Sequence, residues 1–161
     1  MTITTPTKKA ASIAKSPEAT AMLRADHKKV SELFEEYEKV RAATKKKDLV
    51  TQICTELTVH AQIEEEIFCP AVKQALKDTK LVPEATIEHA TLKELIAQVR
   101  DVDPDGEMCD AKIKVLSKYV KHHVKEEQNE IFPKLQATKL DMVELGARMS
   151  TRKDELMAAL A

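Results

Sequence analysis

Four histidines and two glutamates of this chain stand where a helical bundle should bury only apolar side chains. Residues three and four apart share one side of a helix. His27 lies in the series Leu23, His27, Val30, Phe34, Tyr37, and His89 in Ala85, His89, Leu92, Ile96, Val99. Two further stripes run Ile53, Leu57, His60, Glu64, Phe68 and Leu116, Val120, His123, Glu127, Ile131. An unpaired buried carboxylate costs several kcal/mol, comparable to the whole stability of a small domain. No lysine or arginine shares the stripes near Glu64 or Glu127, so a bound cation is the simplest compensation. Four imidazoles and two carboxylates suit two divalent ions, which lie about 3.5–4 Å apart in such pairs. Histidine with carboxylate is compatible with iron, manganese or zinc. No cysteine joins the stripes to make a thiolate zinc site.

The rest of the chain favours helix. Its 161 residues include two glycines, six prolines and no tryptophan, and 33% are charged. Ala, Leu, Glu and Lys recur, while β-branched and aromatic clusters separated by turn signals are missing. The length suits one domain with a core of ordinary size. A formal net charge of −1 gives no global basic excess for nucleic acid and no acidic excess for a solvating tail. No run of apolar residues is long enough to span a membrane. The opening segment MTITTPTKKAASIAKSP lacks the apolar region of a secretory signal and reads as a flexible basic tail over residues 1–17. Cys54, Cys69 and Cys109 are odd in number and form no CxxC pair, which points to a reducing, cytoplasmic setting.

Periodicity predicts five helices, over about 17–44, 48–76, 83–100 and 107–135, with a fifth after Thr138. Pro83 suits a first helical turn. The segment Asp-Val-Asp-Pro-Asp-Gly at 101–106 is the plainest loop. Thr138 and Asp141 resemble a capping box. The expected fold is all-α: an antiparallel up-down-up-down four-helix bundle over residues 18–135, followed by an amphipathic C-terminal helix over 136–161. That helix packs outside the bundle or against a second copy in a homodimer.

The chemistry repeats. Asp26-His27, followed by Val30, Glu32 and Leu33-Phe34, matches Glu88-His89, followed by Leu92, Glu94 and Leu95-Ile96. His60 and Glu64, with Pro70 ten residues after the histidine, match His123 and Glu127, with Pro133 ten residues after. Each half is therefore an acid-His helix followed by a His-x-x-x-Glu helix, and two halves make a pseudo-twofold bundle. A lone buried histidine is ordinarily just hydrogen-bonded; the repeated set points to metal.

At the segments RADHKKV, HAQIEEEIFCP, IEHATLKEL and HHVKEEQNEIFP the chain resembles the hemerythrin-like, HHE cation-binding family, over roughly residues 18–135. The resemblance implies a bundle around a non-haem di-iron centre, two iron ions (Fe2+/Fe3+) with an oxo or hydroxo bridge. His27, His60, His89 and His123 would be terminal ligands, and Glu64 and Glu127 bridging ones. Where oxygen-carrying hemerythrins have a further histidine, one turn after the third-helix histidine, this chain has Lys93. That leaves one iron an extra open position and favours redox chemistry over simple oxygen carriage. The expected function is binding of dioxygen, peroxide or nitric oxide for sensing, binding or redox detoxification. Iron storage, donation or iron-status sensing is a second class, and a structural or interaction bundle a third. No nucleic-acid or membrane partner is expected.

Other polar residues have plain readings. His122 shares a face with Lys118, Lys125, Glu126 and Asn129 and is expected to face solvent. Glu65, Glu66 and Glu126 form solvated rims beside the ligand stripes, each able to support an imidazole by a hydrogen bond. Asp26 and Glu88 precede stripe histidines, point about 100° away around the helix and have the plain reading of charges that complement a helix dipole. Tyr37, Tyr119, Cys54 and Cys69 read as packing residues.

Overall fold

The computed structural model describes residues 16–78, 80–104 and 106–160, so the expected basic tail lies almost wholly outside them. Helix α1 spans Ala19–Lys39, and the carboxylate of Glu18 caps it by accepting from the Ala21 amide at 2.6 Å. Helix α2 runs over Ala43–Ile63, passes through a π-helical turn at Glu64–Phe68 and continues as Cys69–Leu76. Helix α3 is Leu81–Arg100. Helix α4 is Glu107–Glu126, a second π turn at Glu127–Ile131, and Phe132–Leu135. Helix α5 is Met142–Leu160. There is no strand among the described residues. No helix is long and apolar enough to cross a membrane.

Three connections differ in detail from the sequence reading. The α1–α2 break comes earlier than predicted, because Val40 turns extended (φ −89°, ψ 140°) and packs against the core. With no glycine or proline, that turn leaves no compositional mark. The start of α3 is held by Asp78, whose carboxylate accepts from the amides of Lys80, Leu81 and Val82 at 3.3, 3.1 and 2.6 Å. At α5 the cap is Asp141 alone, accepting from the Glu144 amide at 3.0 Å. Thr138 instead closes α4, donating to the Leu135 carbonyl at 2.7 Å.

The two π turns follow from the two prolines. Pro70 and Pro133 cannot donate to the carbonyl four residues back, and their rings crowd it. Widening the preceding turn relieves this: Cys69 donates to the Glu64 carbonyl, and Phe132 to the Glu127 carbonyl, each five residues back. The first residue of each π turn is a stripe glutamate, and such turns recur at functional sites.

Apolar side chains form two clusters. One gathers Val30, Phe34, Ile53, Leu57, Leu92, Ile96, Ile113 and Leu116 from all four bundle helices. The other gathers Leu23, Ile63, Phe68, Val72, Ile131 and Phe132 with Leu145 and Met149 of α5. The stripe histidines and glutamates fall between them along every helix. Helix α5 lies along α1 and α2. Its close approach depends on Gly146, where a Cβ would stand 2.2 Å from the Pro17 carbonyl oxygen and 2.8 Å from the Ala19 nitrogen.

Candidate metal centre

The fold brings all six predicted residues into one buried layer, none more than 9% exposed. Two donor groups result. In the first, His27, His60, Glu64 and Glu127 each offer a ligand atom, all within 4.8 Å of one another; in the second, Glu64, His89 and His123 do the same. Glu64 belongs to both. Its Oε1 lies 2.6 Å from His60 Nε2, and its Oε2 lies 3.1 Å from His89 Nε2. Glu127 Oε1 lies 3.1 Å from His27 Nε2, and its Oε2 points toward His123 Nε2 at 3.7 Å.

These short contacts are not hydrogen bonds. His27 Nε2, His60 Nε2, both oxygens of Glu64, His89 Nδ1 and Glu127 Oε1 are buried without a hydrogen-bond partner. Buried polar atoms are nearly always satisfied, so the orphans of His27, His60, Glu64 and Glu127, gathered in one donor group, call for a further partner. Lone pairs on nitrogen and oxygen converging at this range fit a cation with nitrogen and oxygen preference.

The electrostatics agree. Burial disfavours the Glu64 anion, but the imidazoles of His60, His123 and His89 outweigh it and hold that carboxyl well below its usual range. Burial and the neighbouring Glu64 charge push Glu127 well above it. Burial opposes charge on His60 and His123 too, yet the surrounding carboxylates raise both, His123 to about 9. Burial and the neighbouring His60 lower His27 to about 3. Without metal the layer is thus a mixed set of protons and charges that a cation would replace.

The acid before each first-helix histidine serves the other helix of its half. Asp26 Oδ2 lies 3.0 Å from His60 Nδ1, and Glu88 Oε2 lies 2.6 Å from His123 Nδ1. A carboxylate at Nδ1 selects the tautomer that leaves Nε2 free for a metal. Both acids therefore support an imidazole across the half, a role that the helix-dipole reading did not include. His27 Nδ1 has the Gln128 amide at 2.9 Å, and its ring stacks at 6.3 Å on Phe132. His89 Nδ1 faces Glu65 at 3.6 Å, and Glu65 is held by Lys93 at 2.7 Å. Lys93 is exposed and belongs to neither donor group.

Several supports escaped the sequence reading. Gln128 and Phe132 follow a stripe glutamate and become aligned only through the π turn. Lys153, whose Nζ lies 2.6 Å from Asp26 Oδ1, comes from a helix outside the repeat, so no periodicity pointed to it. His122 is exposed, as expected, beside Glu126 at 3.1 Å. Tyr37 is a core residue with a satisfied hydroxyl, 2.7 Å from Asp110 and 3.3 Å from Cys109 Sγ. Tyr119 is a partly buried packing residue, Cys54 is buried, and Cys69 is partly buried.

The chain is similar to known proteins. The family model described as hemerythrin HHE cation binding domain matches residues 18–135. A DNA nickase of Nostoc sp. is 29% identical over 111 residues, covering 69% of this chain; the chain spans only 31% of that relative's length. The crystal structure of a hemerythrin HHE cation binding domain-containing protein from Mycobacterium kansasii superposes with a TM-score of 0.77, covering 89% of each chain at 20% identity, a likeness of fold. With the family model covering well over half of its length, and a buried His/Glu layer in its bundle, the chain belongs to the hemerythrin HHE cation-binding family.

Proposed function

We propose that the layer holds two iron ions, with His27, His60, His89 and His123 as terminal ligands and Glu64 and Glu127 between the metals, and that it binds dioxygen, peroxide or nitric oxide. The observation that carries this reading is the pair of donor groups joined at Glu64, with its orphaned, converging atoms. An iron pair would supply electrons to a small oxidising ligand. The second donor group has three residues against four in the first, which leaves room for such a ligand. The chain's own part is to exclude water and to place protons. The apolar clusters on either side keep the layer dry. Asp26 and Glu88 hold the His60 and His123 protons at Nδ1. A cavity of about 320 Å³ between α1 and α4, walled by Phe34, Val120 and Val124, reaches His27 from outside.

Nicking of DNA, the activity named for the Nostoc relative, is not part of the proposal. This chain covers 31% of that protein. Its net charge of −1 offers no general attraction for a phosphate backbone. The test is metal content after anaerobic reconstitution with ferrous iron, then titration with peroxide, oxygen and nitric oxide. Two irons per chain and a ligand-dependent absorption change are expected. Less than one transition metal per chain sinks the iron reading. Two irons inert to all three ligands, but readily exchanged, would favour storage or donation.

A further inference from the structure

Asp26 is buried, and its two oxygens are divided between two partners. Oδ2 lies 3.0 Å from His60 Nδ1, and Oδ1 accepts from Lys153 Nζ at 2.6 Å. Lys153 belongs to α5, outside the repeated halves. Its neighbour Arg152 forks onto Glu66, Nε to Oε2 at 2.8 Å and Nη2 to Oε1 at 3.2 Å. Glu66 lies in the π turn that begins with Glu64. Two consecutive residues of α5 thus hold both supports of the His60–Glu64 pair: the acid behind the imidazole and the turn behind the carboxylate.

The other half has the same acid–imidazole pair without that brace. Glu88 Oε2 lies 2.6 Å from His123 Nδ1, and no lysine or arginine pairs with Glu88 among the described residues. Asp26 is only 5% exposed, so without a cation beside it the carboxylate would be driven to turn toward water. His60 would then lose the acceptor that fixes its ring and tautomer.

We infer that Lys153 is a positioning residue for His60: its ammonium pins one oxygen of Asp26 so that the other aims the imidazole at the first metal position. The repeat places two equivalent supports, and α5 fixes only one of them. This rests on the two-iron reading above, and the two can fail separately.

The test uses the full chain and the variants Lys153→Met, Lys153→Arg and Glu88→Gln, loaded anaerobically with isotopically enriched iron. Iron per chain is counted first, then affinity by chelator competition and the Mössbauer spectrum. In Lys153→Met one of the two irons should bind about tenfold or more weakly, the range typical for loss of a support behind a ligand. One quadrupole doublet should move and the other stay. Lys153→Arg should restore both affinity and spectrum, and Glu88→Gln should move the other doublet. A merely structural lysine would lower stability without singling out one iron. The inference is overturned if Lys153→Met leaves both doublets in place or moves both alike, or if Lys153→Arg behaves like Lys153→Met. If Lys153→Met does not fold, Asp26→Asn is read by the same criteria. A parent protein without two irons sinks the iron reading itself, seen in the count before any spectrum.

Discussion

The His27/His60 half and the His89/His123 half of the layer share one plan and differ in everything around it. In both, an acid on the first helix crosses to the histidine of the second, and a glutamate opens a π turn. In the first half the acid is neutralised by Lys153, and His27 has a neutral amide behind it. In the second no lysine or arginine pairs with the acid Glu88 among the described residues, and His89 faces a carboxylate held by Lys93. Repetition accounts for the donors; unrepeated residues set the charge behind each one. Two metal positions built from the same motif need not behave alike.

The largest effects should come from the donor that both halves share. Glu64→Ala removes a member of both groups and should abolish binding of both irons. His27→Ala and His89→Ala each break one group and should retain about one iron. Losing a ligand present at a thousand times its dissociation constant costs about 4 kcal/mol of apparent stability, so thermal unfolding should rank the variants in the same order as elemental analysis. Loss of both irons in His27→Ala would show that the halves cannot be separated, and the comparison would collapse.

A smaller effect separates the two glycines. Gly146→Val places branched carbon atoms where even a Cβ would meet the Pro17 carbonyl oxygen at 2.2 Å. Backbone atoms on both sides cannot yield cheaply, so α5 must lift, at a cost of about 3 kcal/mol. The first metal position should weaken with it. Gly106→Ala, at the start of α4, meets nothing nearer than 3.3 Å and should cost about 1 kcal/mol or less, with metal binding unchanged. Equal denaturation midpoints for the two variants would show that α5 does not brace the first half.

The donors were legible because their signal is local and repeated: a titratable residue in an apolar stripe conflicts with burial unless something compensates it. The bundle was legible for the same reason, since the stripes leave little choice of which helix faces meet. What stayed hidden depends on geometry between elements. The prolines at 70 and 133 were visible as a repeat, but the π turns ahead of them were not. The extra residue in each turn changes which side chain follows the glutamate into the layer, and so brings Gln128 and Phe132 to His27. Lys153 was hidden because an ion pair between residues 127 positions apart has no trace in periodicity. The role of Asp26 was open from its own helix alone, as its target is on the next one.

A further effect uses the histidines themselves, in the metal-free protein, where protons take the place of the cation. His123 is raised to about 9, so the folded chain keeps a proton that the unfolded chain releases near 6.5. Its stabilisation is complete below pH 6.5 and is lost as pH climbs through about 9. His27 is lowered to about 3, so as pH falls below 6.5 the unfolded chain takes up a proton that the folded chain refuses. Stability then drops on the acid side, and between pH 6.5 and 4.5 that loss precedes protonation of ordinary glutamates. His123 and His27 should therefore limit opposite ends of one stability profile, each on the order of 2 kcal/mol, with the raised His60 of the first half adding to the alkaline limb. Urea midpoints from pH 5 to about 9.5 check this: His123→Gln should flatten the alkaline limb and His27→Gln the early acid limb. If each substitution altered both limbs equally, the half-sites would titrate as one unit, and the asymmetry built around the repeat would not reach the imidazoles.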